Sequence, residues 1–209
     1  MIYNQFATIY DQLMQDAPYD EWVRLTEEII SKFQIDPKQV VDLGCGTGSI
    51  AIPLHKKGYQ MLGVDLSEEM LAMAYDKMME QQTHFPLIQQ DMCELELPSK
   101  VDFIFSYCDS LNYLDSAHDL EITFQKVHDQ LQEKGYFVFD LHSPYKITHI
   151  FNGQTFAWNE EDVSVIWETE VDVERLIVEH DLTFLLNKMR TVIKNLKSII
   201  NNKPIRWIQ

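Results

Sequence analysis

The stretch Val40–Leu54, VVDLGCGTGSIAIPL, decides how the rest of the chain is read. A short apolar run carries an acid at Asp42, glycines follow at positions 44, 46 and 48, and apolar residues with helical spacing come next. Glycine adopts backbone conformations that other residues resist, and it lets the main chain approach a ligand closely. Strand, glycine loop and helix in that order predict a binding loop at the carboxyl end of a strand.

Further short buried strands are predicted at Met61–Val64, Phe85–Gln89, Val101–Ser106 and Tyr136–Leu141. Helices are predicted between them. The first runs from about Thr47 to Gly58, with a kink expected at Pro53, which lacks a donor deep in that segment. The second starts at Ser67, a good cap, with Glu68 and Glu69 favourable in its first turn. The third lies between Ser116 and Lys134, where Leu120, Phe124, Val127 and Leu131 mark one helical face, and Gly135 closes it. Such alternation predicts an α/β fold of Rossmann-like type, a parallel sheet with helices on both faces. Beyond Asn152, Val163–Val173 and Arg175–Thr183 have strand character with no helix between them, which predicts an antiparallel pair.

Composition restricts the function. The chain has 209 residues, 45% apolar and 24% charged, as expected of one soluble globular domain. No apolar run reaches the roughly 18 residues that cross a bilayer, and MIYNQFATIYDQLMQD has no secretory pattern. Cys45, Cys93 and Cys108 are far apart without a CxxC pair, which fits a reducing cytoplasm and neither a disulfide framework nor a zinc site. Thr183–Gln209 holds six basic residues and no acid, so residues 1–182 carry 11 basic against 33 acidic residues, a formal −22. A body that acidic repels polyphosphates, which argues against nucleic acid as the main substrate.

The glycine loop has three readings. A nucleoside-triphosphate loop requires a lysine after its last glycine, and none is present. A dinucleotide fingerprint requires a third glycine where Ser49 stands, so an NAD-dependent oxidoreductase is a weak alternative. The third reading takes the motif as written. Asp42 can bond a cationic amine, and free amides at the helix start can meet a carboxylate or ribose. Asp65 ends the second strand, where a carboxylate accepts ribose hydroxyls. Asp91 follows the third strand, placed for an adenine amino group, and Leu66 and Met92 can sandwich the ring. An amine, a carboxylate, a ribose and an adenine together describe S-adenosylmethionine.

At this point the sequence resembles the class I S-adenosylmethionine-dependent methyltransferases. The matching pieces are VVDLGCGTG, GVDLSEEML, QQDM, VDFIFSYCDSLNYL and LQEKGYFVFDLHSP, in family order over roughly residues 36–145. The resemblance implies that Gly44, Cys45, Gly46 and Gly48 line the methionine end, Asp65 holds the ribose, and Asp91 with Met92 holds the adenine. It also implies that Tyr107 lies near the methyl donor and that FATIYDQLM is a lid placing Tyr10 over the cofactor. One domain is expected over 1–209, with lid helices in 1–35, a cofactor-binding core in 36–145, antiparallel strands in 152–183 and an atypical basic tail in 184–209.

His142, at the end of the fifth strand, is a candidate general base on a substrate, or a structural histidine bonded to a carbonyl. The other histidines show no metal-ligand spacing, and no metal is expected. Asp140, His142 and Ser143 are too close in sequence for a hydrolytic triad. Methyl transfer needs mainly alignment and a dry pocket, so no fixed catalytic signature is expected. The segment after the fourth strand, SYCDSLNY, lacks the proline-containing tetrapeptide of enzymes that methylate nucleic-acid amino groups. With the acidic body, this favours a small-molecule acceptor; a tRNA or protein acceptor, and a non-catalytic cofactor-binding or partner-activating subunit, are the alternatives. The expected assembly is a monomer or homodimer.

The family's two closing strands have no counterpart after His180. Leu185, Met189, Val192, Leu196 and Ile199 fall on one helical face among lysines, which predicts a basic amphipathic helix docked on the acidic body or on anionic lipid. The alternative is a reading frame shifted near Thr183, which replaces the normal ending.

Overall fold

The computed structural model describes residues 14, 17–159, 163–186 and 189–199. Tyr10 lies outside them. The chain divides into two compact units, one of residues up to Cys108 with Ile122–Phe139, the other of Asp109–Glu121 with the residues from Asp140 onward.

The first unit runs α1 (Tyr19–Lys32), β1 (Val40–Leu43), α2 (Ala51–Lys56), β2 (Met61–Asp65), α3 (Glu68–Glu80), β3 (Leu87–Gln89), β4 (Val101–Ser106), α4 (Ala117–Gln130, shared with the second unit) and β5 (Leu131–Phe139). Its five strands are all parallel, in the order β3-β2-β1-β4-β5. The chain leaves β1 toward β2 and β3, then resumes on the other side at β4. The order therefore reverses beside β1, and its carboxyl end becomes the natural ligand mouth.

Every residue of β1 is buried, as a strand covered on both faces requires. Val40 packs in a cluster with Val23 and Ile30 of α1, Ile52 and Leu54 of α2, and Phe103 and Phe105 of β4. Val41 and Leu43 belong to the opposite cluster with Leu62, Val64, Ile104 and Val127. The period-two alternation of a strand separates the two sets. In α1, Val23, Thr26 and Ile30 recur at helical spacing on the buried side, and Asp20, Glu21 and Lys32 suit its dipole ends.

Several boundaries differ from the sequence reading. Helix α2 starts only at Ala51, so Pro53 is its third residue, where an amide has no partner inside the helix, and the expected kink has no cause. Strand β3 starts at Leu87, the first residue paired with β2, where the ladder opens with Gly63 N–H donating to the Pro86 carbonyl at 3.0 Å. Gly135 does not close α4: the helix ends at Gln130, and Leu131 already pairs with Val101 in β5. Gly135 instead lies where β5 approaches β4, since a Cβ there would sit 3.2 Å from the Asp102 carbonyl oxygen.

The second unit contains a 3-10 turn (Ser110–Tyr113), a π-helical turn (Lys146–Phe151) and an antiparallel sheet of β6 (Thr155–Asn159), β7 (Val163–Asp172), β8 (Ile177–Leu186) and β9 (Met189–Ile199), in that order. The expected hairpin is β7–β8, closed by a turn with Leu176 left-handed at φ 54. The tail is the clear correction. Of the segment read as an amphipathic helix, Leu185 belongs to β8, and Met189–Ile199 is strand β9, paired antiparallel to β8 from Ile177↔Ile199 to Leu186↔Met189. Its β-branched run Thr191, Val192, Ile193 suits a strand. A register shift opposite His180–Leu182 breaks the alternation within β9. Among the described residues no further strand joins β5.

Candidate functional site

The loop after β1 turns through Gly44, Gly46 and Gly48 at φ 82, 52 and 76, all left-handed. Gly44 and Cys45 N–H both donate to the Val64 carbonyl, at 2.8 and 3.0 Å, and fasten the loop to the end of β2. The glycines serve different purposes. A Cβ at Gly48 would press on Ile52 at 3.2 Å, whereas one at Gly46 would meet nothing within 4 Å. Gly46 therefore leaves open space beside bare backbone, which is what a closely held ligand needs.

Asp65, the last residue of β2, accepts Gly46 N–H on Oδ2 at 2.7 Å and Ser67 N–H on Oδ1 at 2.9 Å. Each oxygen keeps a lone pair for a further donor. Burial raises the Asp65 pKa, and the Ser67, Gly46 and Leu66 amides pull it back. Asp42 is only 4% exposed, and no described group donates to its carboxylate. Burial, then the Asp65 charge, push its pKa well above the ordinary carboxylate value. Two carboxylates in one mouth favour a cationic ligand group, because isolated buried charge is costly. The Cys45 thiol is raised by burial, Asp42 and Asp65, so it stays protonated.

At the same rim, Leu66 is 65% exposed despite its apolar side chain. Gln90 N–H donates to the Asp65 carbonyl at 3.0 Å and Gln89 Nε2 to the Leu66 carbonyl at 3.2 Å, joining the ends of β2 and β3. Asp91 caps the short turn Met92–Glu94 by accepting Cys93 N–H at 2.8 Å, and Met92 packs partly into the core. These residues fit groups of S-adenosylmethionine: two acids for amine and ribose, open space beside the Gly46 backbone, and an exposed apolar side chain for adenine, while the Gly44, Cys45, Gly46 and Gly48 amides donate within the protein.

Two residues of this site escaped the sequence reading. A Cβ on Gly63, in the middle of β2, would sit 2.9 Å from Cys45 Sγ and 2.7 Å from Leu87 Cδ2, so bare backbone there lets the loop lie against the sheet. A glycine inside a strand was the available signal. Lys77, on α3, donates from Nζ to Thr47 Oγ1 at 2.8 Å and Ser49 Oγ at 3.3 Å, pinning the loop from outside. Only the fold brings it there.

Tyr107, just past β4, is 3% exposed. Its ring stacks on Trp22 and Phe105 with centroids 4.7 and 4.8 Å away, and its hydroxyl receives Thr26 Oγ1 at 3.2 Å. The structure thus places it within the packing of the first unit. Tyr10 cannot be placed.

His142 belongs to a polar cluster in the second unit. Its Nδ1 lies 2.8 Å from Asp109 Oδ1, a short contact bent out of hydrogen-bond alignment. Its backbone amide donates to Asn112 Oδ1 at 3.0 Å. Lys146 Nζ donates to Asp109 Oδ2 at 3.1 Å. Burial raises the Asp109 pKa, but His142 and Lys146 outweigh it and hold the carboxyl below its ordinary range.

Comparison with known proteins agrees with this geometry. Residues 40–135 match the methyltransferase domain family. A protein of Geobacillus sp. (strain WCH70) assigned to the methyltransferases is 42% identical over 187 residues, 89% of this chain and 76% of that protein. The crystal structure of an S-adenosylmethionine-dependent methyltransferase from Clostridium acetobutylicum ATCC 824 is 30% identical, with a TM-score of 0.82, covering 95% of this chain and 82% of the other. CalS10 from Micromonospora echinaspora, an amino pentose methyltransferase with its cofactor bound, shares the fold at 16% identity and a TM-score of 0.75, covering 93% of this chain and 83% of that one. With strand order, glycine loop and paired acids in agreement, the chain belongs to the class I S-adenosylmethionine-dependent methyltransferases.

Proposed function

We propose that this methyltransferase acts on a small-molecule acceptor and holds its cofactor with the residues at the carboxyl end of β1 and β2. The observation that carries the reading is the buried Asp42 with the half-buried Asp65 beside the open backbone at Gly46. In this assignment Asp42 attracts the amine, the loop residues Gly44, Cys45, Gly46 and Gly48 line the methionine end, and Asp65 takes the ribose hydroxyls. Leu66 and Met92 flank the adenine, with Asp91 beside its amino group. When bound, S-adenosylmethionine supplies a methyl carbon already activated by a sulfonium, so the protein's task is alignment and exclusion of water.

The acidic body supports a small acceptor over nucleic acid, as does the absence of a proline-containing tetrapeptide after β4. The amino pentose acceptor of CalS10 shows that this fold accommodates such a substrate. Three free cysteines support a reducing compartment such as the cytoplasm, and no helix among the described residues is long and apolar enough to cross a membrane. The test is to supply the protein and methyl-labelled cofactor to a cell extract separated into small-molecule, RNA and protein fractions. Label is expected in the small-molecule fraction; label confined to RNA or protein would refute the acceptor class.

A further inference from the structure

We infer that Asp42 selects adenosine ligands bearing a cationic amine by exchanging its own proton for that amine. Such a ligand ionises the carboxyl and expels the proton to solvent; a nucleoside without an amine does neither. The inference rests on the methyltransferase reading for its ligand, and every residue it uses lies in the first unit.

Asp42 is the third residue of β1, with Gly63 of β2 opposite it on one side and Phe105 of β4 on the other. It shares a strand face with Val40, the face packed against α1 and α2. The residue is 4% exposed. Gly63 has no side chain and Phe105 no donor, so the sheet offers the carboxyl nothing to bond. Among the described residues no group donates to either oxygen. Asp65 differs: its two oxygens receive backbone amides from Gly46 and Ser67. Amide donors favour the ionised form, whereas a buried carboxyl without them keeps its proton until a cation arrives. The two acids are therefore fitted to different groups, Asp65 to neutral hydroxyls and Asp42 to a charged donor.

The surroundings of Asp42 supply no such cation. Asp65 on β2 is the charge that acts on it, and the Cys45 thiol of the loop is a titratable neighbour. The same cluster takes Val23 and Ile30 from α1, Ile52 and Leu54 from α2, and the Tyr107 phenol from beyond β4. Lys77, packed outside the loop, directs its ammonium to Thr47 Oγ1 and Ser49 Oγ. Burial and the Asp65 charge both push the Asp42 pKa upward. The sign of the linkage follows. Below the pH at which Asp42 titrates in the free protein, an incoming ammonium must displace a proton. Affinity for amine-bearing ligands then falls about tenfold per pH unit. Above that pH the carboxylate is already charged and the dependence vanishes.

Calorimetry of the full chain with S-adenosylhomocysteine and with 5′-methylthioadenosine tests this. Titrations in buffers of different ionisation enthalpy, from about pH 5 to about pH 8, count the protons released. Both ligands carry adenosine, so any proton Asp65 releases at the ribose appears with each and cancels. Only S-adenosylhomocysteine carries an amine; its carboxylate is ionised throughout this range and brings no proton. The expected result is an excess of up to about one proton released with S-adenosylhomocysteine, growing as pH falls. The excess should vanish in Asp42→Asn, which copies the protonated side chain. Equal release by both ligands at every pH, as a purely structural Asp42 would give, would overturn the inference. So would an excess that persists in Asp42→Asn. The parent protein supplies the first comparison, which decides even if the variant fails to fold. Binding of neither ligand would overturn the methyltransferase reading as well, whereas binding of both with equal release overturns this inference alone.

Discussion

Acidification should weaken the antiparallel unit through His180. This residue is 6% exposed, its ring edge-on to Phe151, and its Nδ1 accepts Trp167 Nε1–H at 3.0 Å. Burial first, then the charge of His142, lowers its pKa from 6.5 to about 4. The sign follows from proton counts. Above pH 6.5 neither state binds a proton; as pH falls, the unfolded chain binds one first and is favoured. Integrated over that window, the loss is about 2 kcal/mol at pH 5 and about 3 kcal/mol at pH 4. Urea unfolding followed by tryptophan fluorescence from pH 7.5 to 4 measures it, with His180→Gln as the non-titrating comparison. Asp42 and Asp65 have raised pKa values and act in the opposite sense, but they are common to both proteins and cancel in the difference. The parent should lose stability more steeply than the variant by about these amounts. Equal slopes between pH 6.5 and 4.5 would refute the reasoning.

Two further substitutions probe the loop. Gly63→Ala places a methyl group against Cys45 Sγ and Leu87 Cδ2; it should reduce stability by about 1–2 kcal/mol in denaturant titration, and restored stability in a Cys45→Ala background would identify the sulfur contact as the cause. Lys77→Met removes both hydrogen bonds to Thr47 and Ser49; calorimetry should show S-adenosylhomocysteine affinity falling several-fold to about tenfold, since a lost charged hydrogen bond is worth about 1.5 kcal/mol.

The parallel sheet was legible because each strand is a short apolar run and Gly44, Gly46 and Gly48 mark the turn after the first. The positions of Asp42 within β1 and of Asp65 and Leu66 at the end of β2 were legible for the same reason, since the apolar runs mark where each strand lies. Lys77 was not, since its reach to Thr47 and Ser49 exists only once α3 packs beside the loop. Nor was Asp109, whose partners lie 33 and 37 residues away and meet only through the fold. The tail misled for a physical reason. A register shift in β9 and the pull of the unpaired edge of β8 overrode a local helical spacing, as tertiary pairing commonly overrides propensity. Gly135 misled differently, since a glycine that ends a helix and one that admits a neighbouring carbonyl look alike in sequence.

The central claim is that the mouth formed by β1, β2 and the glycine loop binds the cofactor. Titrating S-adenosylhomocysteine into the purified chain by calorimetry tests it most directly, with Asp65→Asn as the comparison. Asparagine preserves size, but its single oxygen can accept only one of the Gly46 and Ser67 amides, and it removes the charge and one of the two oxygens proposed for the ribose. Micromolar binding by the parent, weakened at least tenfold in the variant, is the expected result. A folded parent protein that binds no S-adenosylhomocysteine, or a variant that binds it equally well, would contradict the account.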